Sequence, residues 1–374
     1  MKTPLLIATV LAAALTASAQ ITTPPNGDNQ RASVTQSTGL VSTTIKYSSP
    51  DVHGTNGEDR KGHIWGELIH YGFVDQGYGP SKAAPWRAGA NENTIITFSH
   101  DVMIEGKPLK AGSYGLFLAL SKDGPSQWIF SKNSTSWGSY YYNESDDALR
   151  VPTKLEDWPY TEWLTYSFDD RQPTSTHAYL AWENKRAGFK VEVPNSLELY
   201  VEKIREELDG SEAGFRSDSY AAAARFCAQN KVALEQGLKW ADDAISMTFV
   251  GQKNFETLSS KAMVLNAMNK PADADIVMKE AISMPGVSVQ QVHEYGRSLL
   301  AAGRKDKAME VFQFNKKMHP EDKFTTNVGL ARAYTAMDDK KNAIKNWETA
   351  IKNIPESQKS NLAYYEGELK KLKG

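Results

Sequence analysis

The chain has 374 residues, 40% of them hydrophobic, and its 43 lysines and arginines nearly balance 45 aspartates and glutamates for a formal net charge of −2. That is the composition of ordinary folded domains, with length enough for two of them. No cluster of basic residues offers a groove for nucleic acid or a polybasic face for a membrane, so those function classes are excluded.

The first nineteen residues read as an export leader: Lys2 supplies the positive end, an apolar run follows from Leu5 to Leu15, and Ala17-Ser18-Ala19 forms a small-residue cleavage site before Gln20. The apolar run is too short to span a bilayer comfortably. A periplasmic or secreted protein cut after Ala19 is therefore expected, with no transmembrane segment in the mature chain. Residues 20–31 (QITTPPNGDNQR) lack periodicity and predict a linker.

Residues 32–194 read as a β domain. Val41, Thr43, Ile45 and Tyr47 share one face at period two, the mark of a half-buried strand. Residues 48–85 are glycine-rich, hold three of the seven histidines and predict a long loop with one short apolar piece at 64–69. Strand patterns resume at 93–98, 102–104, 113–120, 127–131, 161–168, 176–182 and 188–193, with a tight turn at Glu105-Gly106. Short strands in such number, with almost no helical periodicity, predict an antiparallel β-sandwich-like domain. Seven of the nine tryptophans fall in this half, mostly as core.

Beyond Pro194 the period changes to 3.6. Residues 195–218 predict a connecting helix and linker, and 219–374 a helical repeat array. Ala274, Ala308 and Ala343 lie 34 and 35 residues apart, and Ala262, Gly296 and Ala331 keep those spacings twelve residues earlier. Leu265, Leu299 and Tyr334 follow in register, as do Met278, Phe312 and Trp347, while Pro320 and Pro355 close the last two units. The pattern resembles the tetratricopeptide repeat, whose small residues let two antiparallel helices pack closely. Residues 220–247 look like a degenerate copy and 360–372 like a capping helix. The single cysteine, Cys227, sits among alanines; it has no disulfide partner within the chain and reads as a small buried apolar residue.

Three motifs in the β half carry a second resemblance: Trp86-Arg87-Ala88-Gly89-Ala90-Asn91-Glu92, the run GKPLKAGSYGLF at 106–117, and Trp137-Gly138-Ser139-Tyr140-Tyr141. On them the region from about residue 32 to 193 is similar to domain-of-unknown-function family 2911. The resemblance implies an exported protein of Bacteroidetes or relatives, with a β-rich domain often followed by tetratricopeptide-like helices. It carries no established activity. Residues 76–84 are extra length relative to the family pattern.

No complete catalytic motif is present: there is no HExxH, no GxSxG, and 77–82 (GYGPSK) lacks the ending of a phosphate loop. Neither catalytic residues, a metal nor a cofactor is assigned. The candidate ligand site is Trp86, Arg87, Asn91 and Glu92 with Trp137, Tyr140 and Tyr141. Arg87 and Glu92 read as an ion pair clamping a Gly-containing loop; the alternatives are ligand binding, or an acid/base role for Glu92 with Asp101, Glu67 or Asp146. Rings beside polar side chains suit sugar stacking. On the repeats, His293, Arg297 and Arg332 share the face of the first helices, the two arginines at equivalent positions, and could receive a carboxylate or acidic peptide. Two functions follow: an exported binding or assembly module that engages a protein partner through its repeats, or a carbohydrate-binding protein or weak glycan hydrolase acting through the β domain.

Overall fold

The computed structural model describes residues 29–54 and 56–374, so the expected leader and most of the expected linker lie outside the described residues. The chain divides into two compact units, the first ending at Ser196 and the second running from Leu197 to Gly374.

Among its described residues the first unit is built of ten antiparallel strands: β1 (Gln30–Thr38), β2 (Val41–Ser49), β3 (Thr94–Phe98), β4 (Val102–Ile104), β5 (Lys107–Leu109), β6 (Gly112–Ala119), β7 (Ser126–Ser131), β8 (Asp147–Thr153), β9 (Glu156–Gln172) and β10 (Ser175–Glu192). They form a six-stranded sheet in the order β1-β2-β3-β6-β7-β8 and a four-stranded sheet in the order β5-β4-β10-β9. The sheets meet through rings: Trp128 and Phe130 of β7 lie 5.4 and 5.2 Å from Phe189 of β10, and Tyr47 of β2 lies 4.8 Å from Tyr166 of β9. Large side chains at alternate positions on two facing sheets make the sandwich core.

Some expectations need correcting. The linker was expected to reach Arg31, yet Gln30 and Arg31 already pair with Ser49 and Ser48 in the first ladder. The polar run Glu183-Asn184-Lys185-Arg186 read as a break between two strands, but β10 continues through it with register shifts beside Glu183, whose φ is 52°. The strain is carried because the buried Glu183 carboxylate accepts the Gly62 N–H. β8 had no sequence signal; it contains Pro152, and it lies at a sheet edge, where a missing N–H costs no ladder bond. The Glu105-Gly106 turn is observed, with φ of 48° and 74° as a two-residue hairpin turn requires. The segment 48–85 is irregular but stapled, through single bridges of Tyr71 to Leu120 and Val74 to Ala84.

The second unit is helical: α1 (Ser196–Gly210), α2 (Ser217–Asn230), α3 (Leu234–Ser246), α4 (Phe255–Ala267), α5 (Pro271–Ala281), α6 (Val289–Ala301), α7 (Lys305–Met318), α8 (Thr325–Ala336), α9 (Lys340–Lys352) and α10 (Leu362–Lys373). Helices α2 and α3, α4 and α5, α6 and α7, and α8 and α9 pack as hairpins, and α6 also packs on α8. Ala262, Gly296 and Ala331 fall on α4, α6 and α8, and Ala274, Ala308 and Ala343 on α5, α7 and α9, all buried. Their smallness is required by the partner rings: a Cβ on Gly296 would stand 2.5 Å from Phe312. Pro320 and Pro355 lie just beyond the ends of α7 and α9, and Tyr365 of α10 closes the array against Phe324 and Trp347. Cys227 is buried, and burial pushes its thiol up to about 11, so it is a packing residue rather than a nucleophile. Among the described residues no helix is long and apolar enough to cross a membrane.

Gly296→Ala should destabilise the helical unit by about 1–3 kcal/mol, since overpacking outweighs the gain in helix propensity. Thermal unfolding followed at the helical circular-dichroism band checks it. In a double-mutant cycle, Phe312→Leu should cost less in the Gly296→Ala background than in wild type.

Candidate functional site

The loop from Trp86 to Asn93 is anchored at its start to β6, where Trp86 and Leu118 exchange backbone hydrogen bonds of 3.2 and 2.8 Å. Two of its non-glycine residues, Ala88 and Asn91, have φ of 49° and 56°. Such backbone is sparsely populated and persists only when its surroundings hold it. Here they do: the Ala88 carbonyl accepts from Tyr166 Oη at 2.8 Å and Thr94 Oγ1 at 3.0 Å, and Ala90 N–H donates to Ser48 O at 3.0 Å.

Arg87 and Glu92 do not pair with each other. Arg87 Nη1 donates to Asn91 O at 2.8 Å, and its guanidinium lies 5.4 Å from the Tyr140 ring centre. Gly138, with φ of 60°, makes room for it, since a Cβ there would stand 2.7 Å from Nη1. Glu92 instead pairs with Arg31 and accepts from Ser48 Oγ at 3.2 Å. The expected clamp fails because β1 begins earlier than the sequence pattern suggests and carries Arg31 across to the carboxylate. Burial opposes ionisation of Glu92, but its own backbone N–H, Arg31 and Ser48 hold its pKa below the ordinary value. A general acid needs the opposite shift. Asp101 and Glu67, its suggested partners, are bonded to Lys110 at 2.7 Å and His63 at 2.9 Å.

The loop and the aromatic segment do converge. Buried Asn93 donates from Nδ2 to Gly138 O at 2.8 Å and from its backbone to Ser136 O at 3.1 Å. Tyr140 lies under Arg87, while Trp137 and Tyr141 are 49% and 53% exposed.

Sequence reasoning missed what stands behind the loop. A cleft of about 330 Å3 opens there, lined among others by Arg60, His70, Gln76, Trp86, Arg87 and Trp182. Trp86 and Trp182 stack at 6.3 Å with 18° between planes, and Trp65 meets both edge-on at 6.0 and 6.4 Å. Gln76 Nε2 lies 3.4 Å from His70 Nε2, and burial lowers the pKa of that histidine. These residues come from 60–87 and 182, and the only advance sign of them was a long glycine-rich segment holding histidines. The other histidines there are engaged locally, His53 with Glu162 at 2.8 Å and His63 with Glu67. Among the described residues no three His, Cys, Asp or Glu side chains gather as a metal cage.

On the helices, His293 and Arg297 lie on α6 and Arg332 on α8. His293 is only 5% exposed, its ring 5.5 Å from Phe312, and its Nδ1 has no partner among the described residues. Burial first, then the charge of Arg332, lower its pKa to about 4. The two arginines, equivalent in the repeat, differ in state. Arg297 is bonded to Glu294 at 3.0 Å, whereas Arg332 lies over Tyr364 at 5.7 Å, keeps its Nε buried without a partner, and meets no carboxylate among the described residues. A groove of about 520 Å3 runs between α4 and α6, lined by Phe255, Met263, Tyr295 and Glu294, the partner of Arg297, among others.

An antiparallel β-sandwich is followed by a stack of helical hairpins, with a strained loop and cleft on one unit and a half-buried cationic face on the other. Residues 29–191, within the β unit, match the sequence model described as Protein of unknown function (DUF2911). Comparison with curated proteins gives no match. Among solved structures the chain is similar to YrrB, described as a TPR protein with an unusual peptide-binding site, at 15% identity over 46% of this chain and 84% of that one, with a TM-score of 0.31.

His293 is buried neutral, so the unfolded chain binds its proton below about pH 6.5 while the folded chain binds it only near pH 4. Its contribution to stability is complete above pH 6.5 and falls as pH drops towards 4, by on the order of 3 kcal/mol. Denaturant unfolding at pH 7 and pH 4.5 should show this loss, and His293→Leu should flatten that part of the profile.

Proposed function

We propose that this protein is an exported binding module whose helical array receives an acidic segment of a protein partner. The observation that carries the reading is Arg332: a guanidinium over Tyr364 with no carboxylate partner among the described residues, beside the buried and unpartnered Nδ1 of His293. A guanidinium already partly desolvated binds a carboxylate by charge-assisted hydrogen bonds without first breaking an ion pair of its own. The groove between α4 and α6, with Phe255, Met263 and Tyr295, supplies apolar contact for the flanking peptide. Arg297 is secondary here, because Glu294 already answers its charge.

Export is supported by Lys2, the short apolar run and Ala17-Ser18-Ala19, and the mature chain should begin at Gln20 when its N-terminus is read by mass spectrometry. A glycan-directed role for the β unit is supported by the exposed rings of Trp137 and Tyr141, which leave apolar faces open to solvent. Its hydrolytic form has no such support, since Glu92 is engaged by Arg31 and Ser48.

Fluorescence anisotropy with Asp/Glu-rich peptides against the full mature chain tests the main reading. Acidic peptides should bind, with an affinity that falls as salt is raised. Arg332→Gln should weaken binding about tenfold or more, equivalent to about 1.4 kcal/mol, and Arg297→Gln should do less. Equal binding of a Lys-rich control, or an Arg332→Gln variant that binds as wild type, would sink it.

A further inference from the structure

The cleft behind Trp86 collects hydrogen-bond donors and one unanswered positive charge. Its two arginines differ: Arg60 already gives its guanidinium to Asp51 at 3.0 Å and to Glu58, whereas Arg87 gives one N–H to Asn91 O at 2.8 Å and meets no carboxylate among the described residues. Among the described residues no aspartate or glutamate lines the cleft. Gln76 Nε2 lies 3.4 Å from His70 Nε2, and His70 Nδ1 is sealed from solvent behind the cleft without a side-chain partner. Trp182 Nε1, a donor only, is in the same condition, and so is one acceptor, Gln76 Oε1. Beside them the stacked Trp86–Trp182 pair, crossed by Trp65, forms a rigid apolar wall. The strained Ala88 and Asn91 backbone aims Arg87 into this space, and Tyr140 and Gly138 fix its guanidinium from the other side.

We infer that this cleft binds a carboxylate-bearing small molecule, its carboxylate on Arg87 and its body against the Trp86–Trp182 wall. The volume of about 330 Å3 lies at the small end of ligand pockets and suits one sugar-acid ring or one amino-acid residue. A carboxylate of this kind comes from two sources, a uronic acid or a peptide's C-terminal residue, and both present the planar anion that a guanidinium recognises. The inference concerns the β unit alone and stands or falls separately from the acidic-peptide face of the helices.

The test titrates the full mature chain with glucuronate, N-acetylglycine and glucose, followed by calorimetry and by tryptophan fluorescence. At least one of the two carboxylates should bind and perturb the fluorescence, with glucose about tenfold weaker or more. A preference for glucuronate assigns the sugar acid; a preference for N-acetylglycine assigns the peptide terminus. Arg87→Gln should lower the affinity about tenfold, the loss of one charge-assisted contact. Because Arg87 also supports its own loop, Arg87→Lys serves as the second variant: it keeps the positive charge but not the guanidinium fork and should weaken binding severalfold. Absence of carboxylate binding at millimolar concentration, glucose binding as well as glucuronate, or unchanged affinity in both variants with wild-type circular dichroism would overturn the inference.

Discussion

The carbonyl of Ala88 is the point on which the candidate site of the β unit depends. It accepts two buried hydroxyl bonds, from Tyr166 at 2.8 Å and Thr94 at 3.0 Å. Tyr166 stands on β9 in the small sheet and Thr94 on β3 in the large one, so a single backbone oxygen ties both sheets to the loop. Two such bonds contribute a few kcal/mol, enough to hold left-handed backbone at Ala88 and Asn91 that would otherwise relax. Everything aimed by that loop, from the Arg87 guanidinium to the bonds of Asn93 with the 136–138 segment, inherits its position from this constraint.

The helical unit depends on a different rule, in which small residues face large ones across hairpins. Phe312 is fully buried where Gly296 and Gly329 leave it room, a Cβ on either approaching its ring to 2.5 or 2.3 Å. Close packing of this kind leaves little freedom to move, so a polar group caught within it keeps its state. His293 is such a group, neutral because the interior will not admit its charge and because Arg332 already holds a positive one nearby. That face thus carries one cation and one neutral ring, the pairing on which the proposed carboxylate recognition rests.

The parts of the molecule legible in sequence were those written as periodicity. Alternation marked the strands around Val41 to Tyr47, and the 34- and 35-residue spacings marked the helix pairs, because a packed face imposes its period on the residues that form it. Site geometry was only half legible. Trp86, Arg87 and the Trp137–Tyr141 segment do lie together, yet the partner assigned to Arg87 was wrong, since ion pairs at a loop are chosen by whichever strand passes closest in space. Arg31 passes closest to Glu92, and a strand that starts in a Pro/Asn/Gly-rich stretch gives no early notice of itself. His70, Gln76 and Trp182 were invisible for the same reason: their neighbourhood is made by tertiary staples such as Tyr71 to Leu120, which leave no pattern in sequence.

Arg87 and Arg332 show how two units of unrelated fold reach one chemical solution. Each guanidinium lies over a tyrosine ring, at 5.4 and 5.7 Å, and neither meets a carboxylate among the described residues. Most other arginines are answered by carboxylates, as Arg150 is by Asp147 at 2.6 Å and Arg304 is by Asp275, while Arg171 donates to the Phe168 carbonyl. A ring under a guanidinium restrains it and partly desolvates it while leaving its N–H edge free, whereas a carboxylate partner would consume that edge. Restraint without neutralisation is what distinguishes a binding arginine from a structural one. It costs stability, because the charge is desolvated without full compensation, and a folded chain keeps it where a ligand supplies the missing half.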